Sequence, residues 1–176
     1  ALQSDDFNRL VWIESGPEWA VGGTILVLRR IAMHLDTWDK LGRTDKESVI
    51  GRNLAHGAPL GKTNETDAPD FDQRTKSGLT VIPQFAHIRR ATPAAPNERF
   101  FRRPFNYEVG VSAQGVPDVG MLWTAYMRNM NQYVPVQTRL ASFDLLNQWT
   151  TPIGSAVFAI AGGVEPGKII AEKLFT

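Results

Sequence analysis

The 176-residue chain contains no cysteine. Disulfides, iron–sulfur clusters, thiolate zinc sites and thiol nucleophiles are excluded together. The absence says little about compartment, because exported proteins need not carry disulfides. Charge of one sign is also scarce: 19 Lys and Arg stand against 18 Asp and Glu, a net charge of +1, with no long run of either sign. Nucleic-acid binding is therefore not indicated. No apolar run approaches the ~20 residues of a membrane span, no signal peptide is visible, and no internal repeat is evident. The opening ALQSDDFNRLVW starts abruptly without Met, as a processed chain or a fragment of a longer one would. Length suits one domain or two very small ones.

What is present alternates strand-like and helix-like signals. Gly22-Gly23 opens the strongest strand signal, TILVLRRIAMHL, dominated by β-branched and aliphatic residues. Arg29 and Arg30 interrupt it, so one of the two is expected to point into a site or across a sheet face. A helix start is read at Leu35-Asp36-Thr37-Trp38 with Asp36 as N-cap. A second lies at Thr44-Asp45-Lys46-Glu47, a capping-box pattern whose helix ends by Gly51. Residues 52–78 are rich in Gly, Pro, Asn, Asp and Thr and read as a long loop. His56, Asp67, Asp70 and Asp72 lie in it, but without the central Gly and terminal Glu of an EF-hand; solvated loop carboxylates are the simpler reading. Farther on, FFRRPFNYEV and MLWTAYMRN read as strands on either side of a turn-rich segment, Gly110 to Gly120. VQTRLASFDLL reads as a helix, residues 151–154 as a turn, SAVFAIAGGV as a strand, and KIIAEKLF as a short terminal element. The pattern is that of an α+β fold with an antiparallel sheet.

Chemistry concentrates between Gln84 and Tyr107, QFAHIRRATPAAPNERFFRRPFNY. One His is followed by an Arg-Arg pair, a loop too rich in Pro for a regular element, and a second Arg-Arg pair on an aromatic strand. A lone His flanked by Arg is most often a satisfied surface residue. Four guanidinium groups among Phe100, Phe101, Phe105 and Tyr107 ask for more, because buried cations need partners. An anionic planar ligand takes both the charge and the aromatic surface.

Five ordered segments resemble the C-terminal half of a dye-decolourising (DyP-type) haem peroxidase of the exported-type subgroup. They are GGTILVLRRI, AHIRRATP, FFRRPFNY, MLWTAYMRN with YVPVQTRL, and GSAVFAIAGGV. The resemblance implies that residues 1–176 form a C-terminal haem-binding domain, with a first domain lying outside the chain. It implies a ferredoxin-like antiparallel sheet with helices on one face, of the dimeric α/β-barrel-like superfamily. The cofactor implied is haem b, iron protoporphyrin IX. The iron ligand is then His87, and the distal arginine acting in catalysis and touching the cofactor is Arg102. The family's Asn-Pro-Arg contact falls on Thr92, Pro93 and Ala94, where Ala94 departs from the pattern by lacking a cation. A second departure is the absence of the GxxDG motif that bears the family's acid/base aspartate. Asp5 and Asp6 do not stand in that context.

The residue types suit the implied reaction. Haem iron takes a neutral imidazole as axial donor, and the other ring nitrogen wants an acceptor. In the family that acceptor is an acid on the helix before the last strand. Asp144 is the nearest carboxylate, while Gln148 stands close to the expected position. A fixed guanidinium stabilises charge developing on peroxide but cannot serve as a base. Leu122 and Trp123 occupy the family's distal lining, although core packing is their simpler role. Tyr107, Tyr126 and Trp149 are candidate electron relays by residue type alone. The implied partners are hydrogen peroxide and an organic electron donor such as a dye, with either the missing N-terminal half or self-association covering an exposed sheet face. The subgroup implies export. A haem-binding or deferrochelatase-like module without peroxidase turnover, and a cofactor-free structural module, are the competing expectations.

Overall fold

The computed structural model describes residues 4–111 and 115–175. Its elements are α1 (Ser4–Leu10), β1 (Thr24–Met33), α2 (Leu35–Trp38), α3 (Arg43–Ile50), α4 (His87–Ala91), β2 (Phe101–Arg102), β3 (Phe105–Val111), β4 (Pro117–Met127), α5 (Val134–Phe143) and β5 (Thr150–Ile160), joined by short 3₁₀ turns. The chain forms two compact units. One comprises residues 1–33, 94–135 and 152–176; the other comprises residues 34–93 and 136–151.

The first unit is built on the sheet. The order is β2-β4-β1-β5, with β3 also paired to β4. β2 and β3 share one antiparallel register on β4: Arg102 lies opposite Ala125 and Phe105 opposite Leu122. They are one strand interrupted at Arg103-Pro104. Counted so, the sheet runs fourth, first, third, second, which is the split-βαβ, ferredoxin-like arrangement. Pro104 is tolerated because the Arg103 N–H donates to Thr124 O at 2.9 Å. Ladder donors alternate in direction, so the nitrogen of residue 104 faces away from β4 and no ladder bond is lost. On one sheet face Val27, Ala125 and Met127 are buried beneath Ile25, Phe100, Trp123, Met130 and Tyr133. On the other, α1 sets Phe7 against Phe101 at 5.1 Å. Much apolar surface stays open, including Phe105, Val109, Ile153, Val157 and Phe158.

The second unit holds α2, α3, α4 and the connection from residue 52 to residue 86. That connection has no helix or strand beyond two isolated bridges, Arg52 with Pro59 and Arg74 with Thr80. It nevertheless supplies the unit's core, since Ile82 and Ala86 pack with Ile88 against Leu60 and Phe71. The loop acids work locally. Asp67 accepts from the backbone of Thr63 and Asn64, and Asp70 from that of Asp72 and Gln73.

The structure differs from the sequence reading at four points. The first helix start has His34, not Asp36, as N-cap. α3 begins at Arg43 behind Gly42, and no side-chain cap forms; Glu47 instead accepts from Arg43 and the Leu54 backbone. Those bonds hold the Glu47 carboxyl below its usual range, the Leu54 N–H contributing most. Residues 151–154 are strand, not turn, because β5 is a sheet edge, where Pro152 is admissible. Finally, His87 opens a helix instead of lying in irregular chain.

Candidate functional site

His87 is the first residue of α4. Ala86 before it is extended (φ −66°, ψ 135°), and the helix stops at Thr92, which Pro93 forces into the extended region (ψ 129°). Thr92 closes the turn by donating its hydroxyl to Ile88 O at 2.7 Å. The core residue Ile88 anchors the helix, and the imidazole projects from its first turn.

The imidazole meets a carboxylate 57 residues along the chain: His87 Nδ1 lies 2.6 Å from Asp144 Oδ2. The Asp144 side chain is 3% exposed and that of His87 36%. The other oxygen, Oδ1, accepts from Leu146 N at 3.0 Å and caps the 3₁₀ turn Leu145–Gln148. The Phe85 carbonyl accepts from Leu145 N at 3.1 Å, so the two segments are stitched on both sides of the pair. A carboxylate can only accept, so Nδ1 donates and Nε2 carries the free lone pair. The accessible edge of the ring is a ready axial donor. Among the described residues no group of three His, Asp or Glu side chains could hold a metal ion.

Asp144, not Gln148, is thus the partner of His87. Nothing local in the sequence marks it; its signal is only its place at the end of α5. Asp144→Ala removes a buried acceptor and a cap at once, so a loss of about 2 to 4 kcal/mol is expected. Thermal unfolding would show it as a fall on the order of 10 °C, and an unchanged Tm would mean the pair is not formed.

The arginines that follow His87 differ in employment. Arg89 donates to the carbonyls of Phe71 and Ile82 and stacks over the Phe71 ring at 4.8 Å. Burial, and then the neighbouring Arg90 charge, push its guanidinium below its ordinary value. Arg89 pins the long connection to α4. Arg90 lies over the Phe143 ring, 5.1 Å from its centroid.

Arg102 belongs to the sheet unit. Its register opposite Ala125 places it on the face of Val27 and Trp123, whereas Arg103, opposite Thr124, takes the other face. Neither side chain has a hydrogen bond or ion pair among the described residues. Arg29 shares the Arg102 face and neighbours Tyr133, whose phenol burial drives upward. Arg30, on the opposite face, bonds Asp118 at 2.8 Å and covers Tyr107. Pro93 ends α4. At Ala94 the backbone N–H donates to buried Glu98 at 2.8 Å, so this position offers no cation. Trp123 packs against Phe100 and Tyr133, and Leu122 faces Arg30 and Phe105 across the sheet. Of the three relay candidates, Tyr126 lies against Phe101 and Trp149 against Trp38.

The family model "Dyp-type peroxidase, C-terminal" matches residues 2–165. The chain belongs to the DyP-type peroxidase family. A dye-decolorizing peroxidase of Thermobifida fusca is 41% identical over 159 residues, covering 89% of this chain and 37% of that protein. A deferrochelatase of Escherichia coli K12 is 30% identical over 165 residues, covering 90% and 38%. Among solved structures, a DyP-type peroxidase from Cellulomonas bogoriensis superposes with a TM-score of 0.93 at 45% identity, covering 98% of this chain and 48% of its own. Ferric DtpA from Streptomyces lividans gives 0.89 at 35%, covering 97% and 48%. The chain thus spans less than half the length of these DyP-type relatives.

Proposed function

We propose that this chain is the haem-binding part of a peroxidase that reduces hydrogen peroxide at the expense of an organic donor such as a dye. The observation that carries the reading is His87 with its Nδ1 committed to buried Asp144 and its Nε2 open. The donor set of the second unit fits haem b: an imidazole supported by a buried carboxylate, with the Arg90 guanidinium on the same helix and no carboxylate bonded to it among the described residues. Bound haem supplies a redox-active iron through which two electrons pass from donor to peroxide. His87 would hold the iron through its Nε2, with Asp144 fixing the tautomer and ring plane from Nδ1. Arg102 would supply a fixed guanidinium against negative charge developing on peroxide oxygen. The two protons that complete the two water molecules need a separate acid/base group, and this sequence has no GxxDG aspartate to provide it.

Arg102→Ala should lower dye turnover by about 10²- to 10³-fold while leaving the haem spectrum in place. Arg103→Ala, on the opposite sheet face, should change turnover little. Equal losses in the two variants would remove Arg102 from its role.

A second reading is favoured by relatives named deferrochelatase: the same site binds haem and gives up iron, leaving the metal-free porphyrin. Peroxide-dependent dye oxidation supports the first reading, and appearance of porphyrin fluorescence without turnover supports the second. We also propose that the open apolar sheet surface packs on a further half like the remaining length of the relatives, or on a second copy. A monomer of this chain alone, sharply eluting on size exclusion with that surface bare, would count against it.

A further inference from the structure

We propose that Arg90 is a carboxylate clamp for the edge of the bound porphyrin. The inference rests on the reading of His87 as the iron ligand.

The two arginines after His87 are chemically alike, yet only Arg89 is spent on the fold, through the Phe71 and Ile82 carbonyls. Arg90 has no hydrogen bond or ion pair among the described residues, and its Nε is buried without an acceptor. Buried donors are normally satisfied, because leaving one unpaired is unfavourable. Its guanidinium lies over the ring of Phe143, itself 67% exposed. A leucine or methionine would cover that ring without desolvating a charge. Arg90 therefore has no evident purpose within the fold.

Its placement supplies one. Arg90 stands three residues after His87, so the two share a flank of α4 with Cβ atoms about 5–6 Å apart. They lean on consecutive residues at the end of α5: Arg90 on Phe143 and His87 on Asp144. Stacking holds the guanidinium plane, and a fixed plane suits two parallel N–H bonds to one carboxylate. Asp144 is not that carboxylate: its oxygens bond His87 and Leu146, and no bond or ion pair joins it to Arg90. The anion must come from outside, on a flat ligand that also covers Phe143. Iron protoporphyrin IX carries two carboxylates on one edge of its ring.

The test titrates the metal-free-ligand form of the protein with iron protoporphyrin IX and, separately, with its dimethyl ester, which keeps the iron and the ring but lacks both anions. Arg90→Ala should weaken binding of the diacid by about ten- to a hundredfold and leave the diester unchanged. Arg90→Lys should restore part of the loss. Phe143→Ala, a substitution at an exposed ring, should weaken the diacid selectively but less. Equal weakening of both ligands, or of neither, overturns the clamp. His87→Ala in the same titration distinguishes the parent reading: it should remove iron ligation for diacid and diester alike. If the unsubstituted protein ligates neither ligand, the His87 reading falls and the clamp with it.

Discussion

Replacing His87 with alanine should abolish the sharp Soret band of histidine-ligated haem, leaving at most the broad band of unligated haem, and added imidazole should restore it. No other substitution is expected to act so completely, because a single ring nitrogen carries the bond to iron. The geometry makes the prediction specific. The Nδ1 edge is already bound to Asp144 at 2.6 Å, so only Nε2 is available. A neighbouring residue cannot easily take over. The other two histidines, His34 and His56, contact Thr151 and the Ala58 backbone, and neither has a buried carboxylate on its ring. Restoration by imidazole matters because it separates loss of a ligand from loss of the pocket. A variant that keeps its sharp Soret band without imidazole would move the axial bond elsewhere. A folded variant that binds no haem even with imidazole would mean that His87 supports the site structurally.

Gly51→Ala should be the most damaging conservative change in the second unit. Gly51 closes α3 in the left-handed region, φ 85°, where any other residue is strained by roughly 1–2 kcal/mol. Space is the larger obstacle. A Cβ built there would sit 2.3 Å from Ile88 Cγ2, 3.2 Å from Ala86 Cβ and 3.3 Å from Ile82 Cγ2. These are the three buried residues of the local core, and overpacking of that kind costs about 1–3 kcal/mol more. The expected sum is roughly 2 to 5 kcal/mol, visible as a fall of roughly 4 to 20 °C in thermal unfolding monitored by circular dichroism. The displaced residues flank His87 directly, so haem ligation should weaken in parallel. A melting temperature within a degree or two of the parent would show that Ile88 rotates aside without moving α4.

What could be read in advance followed from local chemistry. β1 and β4 announce themselves through unbroken aliphatic and aromatic runs, and α5 through its apolar spacing. His87 and Arg102, by contrast, come from the motifs of a resemblance, not from local chemistry, and the structure adds only the surroundings of each, Asp144 beside His87 and Ala125 opposite Arg102. What is missed or left open has a common cause, which is that pairing partners lie far off in sequence. Asp144 is named there as the nearest carboxylate, but at 57 residues from His87 only the fold decides for it against Gln148. α4 hides between Pro83 and Pro93 in a stretch that composition calls irregular, and it is a helix because Ile88 has a core to enter. β5 begins before its Pro-Ile-Gly signal because an edge strand asks less of its backbone donors. Residues 52–78 read as a long polar loop, yet Ala58 and Pro59 within it are among the least exposed residues in the chain. Tertiary contacts, not propensity, decide each of these.

The break at Pro104 has an outcome for how molecules meet one another. An outer strand normally offers a row of outward N–H and C=O groups on which a second molecule can build, the first step toward fibres. Here the strand bearing Arg102 turns a pyrrolidine ring outward in the middle of that row, beside two positive charges. Sideways growth of the sheet is blocked at the place where its backbone would otherwise be most inviting.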